Sequence, residues 1–315
     1  MNPLATLYGA VVGTRNGLYD RGRLRIRRLR GPVVSIGNLT VGGSGKTPFL
    51  IALGELLQQR GVAFDVLSRG YGRATRGVAL VDPRGSAREF GDEPLLIAGK
   101  LGVPVIVGED RYLAGQFAEQ KFGAQLHLLD DGFQHRRLAR DFDIVLITPS
   151  DAQDTLLPAG RLREPLSSLS RADAVVLTND ATSDGLPLRN QQVWRASREI
   201  MAPRLNHPCF AFCGIARPGN FFADLASAGL TLARTKSFAD HHTYTKSDVR
   251  KLLALGKRCG ASVFVTTEKD EINLRPLISE LSTLHVVPVQ LRLQAPEAAI
   301  GLLLSRIAQR NAPSA

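Results

Sequence analysis

Residues 33–48 read VVSIGNLTVGGSGKTP. The run Val33 to Ile36 is short, rich in β-branched residues and stopped by turn formers, the pattern of a parallel strand buried on both faces. Gly42, Gly43 and Gly45 have no Cβ, so the backbone beyond the strand can curl with its N–H groups inward as a cradle for phosphate oxygens. Lys46 and Thr47 follow where a helix should start. In such a loop the lysine reaches the β- and γ-phosphates and the threonine hydroxyl takes a Mg²⁺ position. Pro48 suits a first helical turn, where no N–H partner is lost. Thr40 stands where the pattern G-x-x-x-x-G-K-[ST] has its first glycine, and the pair Gly42–Gly43 supplies the missing flexibility. Thr40, Val41, Gly42, Gly43, Ser44, Gly45, Lys46 and Thr47 are therefore assigned to a nucleotide-phosphate site rather than to a ligand-free glycine turn.

Working outward, strand and helix alternate from Pro32 to about Asn179, as a parallel sheet covered on both faces requires. Strands are expected at 33–37, 62–67, 104–107, 126–130, 142–148 and 174–178, and helices at 47–60, 92–101, 110–122 and 164–171. Alternation over Gln192–Arg198 suggests an edge ribbon leaving this domain. A second series follows, with strands 208–213, 230–235, 262–267 and 284–291 and helices 218–228, 246–259, 270–281 and 296–310. The expected fold is α/β: a P-loop NTPase-type, mainly parallel sheet with helices on both faces, plus a second, smaller α/β domain. The expected divisions are an N-terminal segment 1–30, a P-loop domain 31–190 and a C-terminal domain 191–315 that includes linker strands. Turn chemistry makes 179–190 (NDATSDGLPLRN) the best linker.

With 315 residues and 44% hydrophobic content the chain can bury a sizeable core. A formal charge of +11 implies attraction to an anionic partner: nucleic acid, a membrane surface or a phosphorylated substrate. Cys209, Cys213 and Cys259 are too few and too irregular for a disulfide framework or a zinc site, and read as small apolar residues in a reducing compartment. No apolar run is long enough to cross a bilayer, and the N-terminus lacks signal-peptide order. No recognisable reading helix or aromatic binding strip points to nucleic acid.

Leu4, Leu7, Tyr8, Val11 and Val12 recur at helical spacing, and Arg15, Arg21, Arg23, Arg25, Arg27, Arg28 and Arg30 follow in a dense basic run. Such a segment can lie in a membrane interface, apolar face among acyl chains and arginines among anionic head groups. The competing reading is a helix packed on its own domain with a solvated basic tail.

A second anchor is AQLHLLDDGFQHRR, 124–137. An apolar strand ends in Asp130 and Asp131 before Gly132 turns the chain, where a doubly wound sheet places ligand contacts. Neighbouring strand residues face opposite ways, so both carboxylates serve one site only if the strand has ended by Asp131. One of the pair should hold Mg²⁺, directly or through water. SRGYGR (68–73) sets Arg69 and Arg73 around a flexible turn, and Arg111, Arg161 and Arg163 add further forks for an anionic substrate. GDEP (91–94) puts Asp92 and Glu93 at a helix start, either as a cap or as a catalytic carboxylate. DHHTY (240–244) offers His241 or His242 as a partner, though two adjacent histidines do not both point inward easily. TTEKD (266–270) contacts a nucleotide base or caps the next helix.

SIGNLTVGGSGKTP, LSRGYGR, GDEP, EDR, LDDGFQHRRL, LPAGRLREP, CGIARPGNFF, DHHTYT and TTEKD, in this order and over nearly the whole chain, resemble the tetraacyldisaccharide 4′-kinase family. The resemblance implies transfer of the γ-phosphoryl group of ATP, assisted by Mg²⁺, to the 4′-hydroxyl of a glycolipid, tetraacyldisaccharide 1-phosphate. It implies a peripheral or monotopic enzyme of lipid A biosynthesis on the cytoplasmic face of the bacterial inner membrane, with no nucleic acid and no obligate protein partner. It implies that Asp92 takes the hydroxyl proton while His241 orients it, and that Lys46 acts on the nucleotide. Thr47, Asp130, Asp131 and Glu164 would surround Mg²⁺, and Arg69, Tyr71, Arg111, Gln134, His135 and Arg163 would contact substrate or phosphate. The rival from another class is a membrane-associated P-loop switch ATPase, which has no need of Asp92 with His241 and usually carries a lysine where this chain has Val41.

Overall fold

The structure, a computed structural model, describes residues 2–123, 126–178, 181–281 and 283–311, with Arg310 and Asn311 placed by backbone alone. Ala124 and Gln125 of the second anchor, and Asn179 and Asp180 at the start of the expected linker, lie outside the described residues.

Helix α1 (Pro3–Asp20) is capped by Asn2, whose side chain accepts from the Leu4 N–H, with Pro3 in the first turn. In chain order there follow β1 (Val33–Asn38), α2 (Lys46–Gln59), β2 (Phe64–Ser68), β3 (Ala79–Leu80), α3 (Ala87–Phe90), α4 (Asp92–Leu101), β4 (Val105–Val107), α5 (Arg111–Phe122), β5 (Leu126–Asp130), β6 (Phe142–Ile147), β7 (Ala174–Thr178) and β8 (Gln192–Ile200). Next come β9 (Cys209–Cys213), α6 (Pro218–Ser227), β10 (Leu232–Ser237), α7 (Lys246–Arg258), β11 (Val263–Thr267), α8 (Glu268–Leu274), β12 (Leu284–Val287), β13 (Val289–Leu293) and α9 (Pro296–Asn311).

The larger sheet has the order β13-β8-β7-β6-β1-β5-β2-β4-β3. Its interior pairs are parallel, and it is closed at the two ends by antiparallel β13 and β3. Strand β1 lies between β5 and β6, and Ile36 pairs with Asp130. The phosphate loop and the Asp130–Asp131 turn thus leave the carboxyl ends of adjacent strands, where an open α/β sheet gathers its ligand contacts. Phe49, Leu50, Leu53 and Leu57, at helical spacing on α2, are fully buried against this sheet. The smaller sheet, β10-β9-β11-β12, is wholly parallel and has its own core around Phe210, Phe212, Val249 and Leu252.

Three expectations change. The run 284–291 is two strands in different sheets, because Pro288 has no N–H for a ladder and divides β12 from β13. Strand β13 then returns to pair with β8, and α9 sends Ala299, Ile300, Leu303 and Ile307 into the core shared with α2. Residues 191–315 are therefore not one unit: the chain leaves the larger sheet after β8 and rejoins it at β13, and these paired strands are the connection. The expected helix 164–171 is a 3₁₀ turn at Leu166–Arg171, and the expected helix 270–281 is α8 followed by a 3₁₀ segment, Arg275–Glu280, with Pro276 at the junction.

Candidate active site

Helix α2 begins at Gly45 (φ +85°), which offers no side-chain cap, so its first N–H groups are free for an anion. Gly42 (φ +77°) and Gly43 (φ +36°) hold the preceding curl. The Ser44 hydroxyl is buried without a partner. Lys46 Nζ lies 3.1 Å from Asn38 Oδ1 and 3.5 Å from Asp131 Oδ1.

Strand β5 ends at Asp130, and Asp131 turns into the left-handed region (φ +49°), so both carboxylates do face one cleft. Gly132 serves close approach rather than positive φ: a Cβ there would stand 2.7 Å from Ser35 Oγ and 2.6 Å from Leu129. Asp130 accepts from the Ser68 hydroxyl at 2.8 Å through Oδ2, and its Oδ1 is buried with no partner. Burial, with Glu93 and Asp131 near, pushes Asp130 up to about 7. Burial would raise Asp131 too, but Lys46 and Arg163 hold it below the usual carboxylate range. Arg163 takes both Asp131 oxygens, each at 2.8 Å.

Across the cleft, Asp92 opens α4 in its first turn, with Gly91 as the cap, and its Oδ1 accepts from the Glu93 N–H at 2.8 Å. His241 Nδ1 is 2.8 Å from Asp92 Oδ2 and 3.0 Å from Oδ1, and Asn273 Nδ2 donates to Oδ2 at 3.2 Å. Burial alone would raise Asp92. The ammonium of Lys269, His241 and Asn273 together bring it down to about 2. Burial would lower His241, yet the hydrogen bond to Asp92 raises it. His242 turns away, with its ring stacked on Phe238 and Nε2 3.2 Å from Asp248. Among the described residues the non-glycine positions with positive φ are Asp131 and His241 (+58°), both at this cleft, where local strain tends to collect.

The cleft, about 480 Å³, is walled by Thr40–Pro48, Arg69, Tyr71, Asp130, Asp131, Arg163, His241 and Lys269. Tyr71 sets its ring 5.1 Å from that of His241. Arg111, Gln134 and His135 do not line it. Arg111 is buried with Nη1 on the Glu109 carbonyl, and Gln134 Nε2 braces the Asn38 carbonyl at 3.0 Å. His135 is brought down to about 4 by burial and by Arg111. Glu164 does not line the cleft: it is buried beside α1, where its Oε2 accepts from Asn16 Nδ2 at 2.7 Å and Arg171 Nη1 at 2.9 Å, and its Oε1 is buried without a partner. Adjacent residues point apart here, Arg163 into the cleft and Glu164 toward α1.

A magnesium ion fits what remains. The unpartnered Asp130 Oδ1 and Thr47 share the cleft wall with Asp131, all oxygen donors suited to a hard cation. Among the described residues no cluster of three or more His, Cys, Asp or Glu could hold a metal by itself.

Asn38, Lys269 and Asn273 were not singled out in the sequence. TTEKD does cap α8, Thr267 accepting from the Asp270 N–H, but its lysine makes a further contact, Nζ to Glu93 Oε1 at 3.0 Å. Burial would lower Lys269, and Glu93 with Asp92 raises it, so it stays charged beside Asp92.

Residues 1–308 match the model of the family described as LpxK, Tetraacyldisaccharide-1-P 4'-kinase. A tetraacyldisaccharide 4'-kinase of Koribacter versatilis is 51% identical over 99% of this chain and 100% of its own. One of Geobacter metallireducens is 37% identical over 93% of this chain and 94% of its own. Among solved structures, LpxK from Aquifex aeolicus in complex with ATP aligns with a TM-score of 0.77 at 34% identity, covering 97% of each chain.

Proposed function

The chain belongs to the tetraacyldisaccharide-1-P 4'-kinase family, and from that membership we propose how its residues carry out the family's reaction. The reaction is ATP-dependent transfer of the γ-phosphoryl group to the 4′-hydroxyl of tetraacyldisaccharide 1-phosphate, a step of lipid A biosynthesis. The observation that carries the assignment of roles is the contact of buried Asp92 with His241, which lines the cleft together with the phosphate loop.

The triphosphate lies over Thr40–Thr47, with the N–H groups at the start of α2 and the ammonium of Lys46 on its oxygens. Magnesium would be held by Thr47 with Asp130 or Asp131 and would supply neutralisation of phosphate charge. Arg69, Tyr71 and Arg163 meet the anionic head group. As the 4′-oxygen bonds to the γ-phosphorus, the bond from that phosphorus to the β–γ bridging oxygen breaks and ADP leaves. The hydroxyl proton passes to Asp92. A carboxylate at about 2 is a weak base, so the proton moves late, when the new P–O bond has made the hydroxyl acidic. Positioning and charge compensation then supply most of the acceleration. His241 holds Asp92 in place, and Lys269 keeps it ionised.

The lipid acceptor is met at a membrane surface. Leu4 (62% exposed), Leu7 (62%) and Val11 (60%) lie uncovered on α1, followed by exposed arginines at 21, 23 and 25. Among the described residues no helix is long and apolar enough to cross a membrane. We assign α1 to the interface of the cytoplasmic leaflet of the inner membrane, arginines among anionic head groups. Helix α1 is also bolted to the site: the Tyr8 hydroxyl donates to the Arg163 carbonyl at 3.1 Å, and Asn16 holds Glu164.

Incubation with γ-labelled ATP and the lipid acceptor tests the reading. A labelled glycolipid is expected; label released only as inorganic phosphate would favour the switch ATPase.

A further inference from the structure

The phosphate loop touches the smaller unit at a second place, remote from Asp92. Arg217, at the start of α6, sends Nη2 to Asp151 Oδ1 at 2.9 Å and Nη1 to the hydroxyls of Thr148 and Ser150 at 3.1 and 3.0 Å. Asp151 is 1% exposed, and its other oxygen accepts from the Thr148 N–H at 2.9 Å. The stem of Arg217 lies on the backbone of the loop: a Cβ on Gly43 would stand 3.0 Å from Arg217 Cγ, and one on Gly42 would stand 2.8 Å from Ala216 Cβ.

Asp151 Oδ1 takes one more donor, the Thr40 hydroxyl, at 3.2 Å. Thr40 Oγ1 in turn accepts from Asn38 Nδ2 at 3.0 Å, and Asn38 Oδ1 accepts from Lys46 Nζ at 3.1 Å. Thr40 Oγ1 thus donates to Asp151 and accepts from Asn38, and with Lys46 Nζ and Arg163 Nη2 both donating to Asn38 Oδ1 the amide of Asn38 can point only one way. The loop threonine stands where the phosphate-loop pattern has a glycine, and a glycine would break this line because it has no hydroxyl. That gives the departure at Thr40 a physical reason.

We propose that Arg217 is a positioning residue for phosphoryl transfer: seated on Asp151, it fixes Thr40 and, through Thr40 and Asn38, the ammonium of Lys46, so that the loop is ready for nucleotide only when the smaller unit is docked. Without Arg217 the buried Asp151 carboxylate has lost its cation and draws on Thr40 and the Thr148 N–H alone. The line of bonds then loses its fixed end at Asp151, and the Asn38 amide and Lys46 are left to Arg163 and Asp131 alone. Coupling of this kind depends on a shared network rather than on distance, so single changes along it should not add. The proposal rests on the kinase reading for its turnover arm and is independent of it for its binding arm.

The experiment compares the full-length protein with Arg217→Ala, Arg217→Lys, Thr40→Val and the Arg217→Ala/Thr40→Val double variant. It reads the Kd for ATP by calorimetry and the KM for ATP, the KM for the lipid acceptor and kcat by product formation. Arg217→Ala should weaken ATP about tenfold, raise the KM for ATP in step and leave the acceptor KM within twofold, with melting temperature little changed. Arg217→Lys should recover most of the loss. The double variant should be no weaker than the worse single, the sign of one shared line. Additive losses, or an ATP Kd unmoved by Arg217→Ala, would overturn the proposal. Should Arg217→Ala fail to fold, Arg217→Met, which keeps the stem and removes the guanidinium, completes the same cycle with Thr40→Val. If the unaltered protein bound ATP and formed no labelled lipid, the kinase reading would fail while the binding cycle still decided the role of Arg217.

Discussion

His241 and Asp92 stand 149 residues apart in the chain, in units built on different sheets, yet the imidazole Nδ1 reaches both carboxylate oxygens within 3.0 Å. The contact joins the two units beside the cleft that the phosphate loop lines. Asp92→Ala removes the proton acceptor and should lower kcat by about 10²–10⁴, the range for loss of a general base. His241→Ala leaves Asp92 ionised beside Lys269 but free to turn, so the fall should be smaller. His242→Ala, whose ring stacks on Phe238, should keep most of kcat. Initial rates with saturating ATP and acceptor check the order; near-normal turnover in Asp92→Ala would remove it as the base.

The same pair sets a pH dependence of docking. Asp92 is depressed from 3.8 to about 2, so its contribution is present above 3.8 and is lost as pH falls toward 2. By linkage the shift amounts to roughly 2 kcal/mol, at about 1.36 kcal/mol per pH unit. His241 is raised, so its contribution is complete below 6.5 and disappears as pH rises through the higher folded value. Asp240, with Oδ2 3.8 Å from His241 Nε2, adds to the raise, whereas the nearby charge of Lys269 opposes it. The melting-temperature difference between the unaltered protein and His241→Ala should thus be largest between about pH 4 and 6.5 and shrink toward pH 9. A difference that grew across that alkaline range would contradict the charged pair.

Lys46 is held by Asn38 and Asp131 at the rim of the phosphate loop. In the proposed mechanism it meets charge that grows in the transition state as well as charge already on ATP, so Lys46→Ala should reduce kcat by about 10²–10³, comparable to removal of one preorganised donor. The protein should stay folded, since the side chain serves the cleft and not the core. Steady-state kinetics with circular dichroism separates the two; a loss of turnover matched by loss of structure would count against this role.

What could be read from the chain followed from locality. The phosphate loop, the Asp130–Asp131 turn and the start of α4 are each a few neighbouring residues whose chemistry is complete in place. Alternation of strand and helix over 33–178 needed only period and turn residues. Asn38, Lys269 and Asn273 carry no such local signal: their roles exist because Ile36 pairs with Asp130 and because α8 lies against α4. Arg217 belonged to a recognised motif without a role until Asp151 met it from the other unit. Glu164 likewise needs the fold to place it, since its neighbour Arg163 faces the cleft while one oxygen of Glu164 is engaged by Asn16 and Arg171. The division at 190 failed because a β-branched run over 284–291 looks like one strand, and only the missing N–H of Pro288 hints that it serves two sheets.

Helix α1 is the part whose residues make opposite demands. Tyr8 and Asn16 tie the helix to residues 163 and 164, whereas Leu4, Leu7 and Val11, on the stripe beside them, are left to solvent. A helix docked only for stability would bury these apolar side chains, because each fully covered Leu or Val is worth about 1.5–3 kcal/mol. Their exposure beside a basic run is instead what an interfacial helix requires. Replacing Leu4, Leu7 and Val11 together by Ser should therefore weaken binding to anionic vesicles on the order of 10²-fold, at about 1 kcal/mol for each partly inserted side chain. Affinity for ATP should not change, since none of the three reaches the cleft. Co-sedimentation with vesicles of phosphatidylglycerol, at low and high salt, measures the first and calorimetry the second. High salt should weaken the unaltered protein through the arginines without abolishing the apolar part. If the triple variant sedimented with vesicles as the unaltered protein does, α1 would not be the element that meets the lipid, and the exposed arginines at 21, 23 and 25 would have to carry the attachment alone.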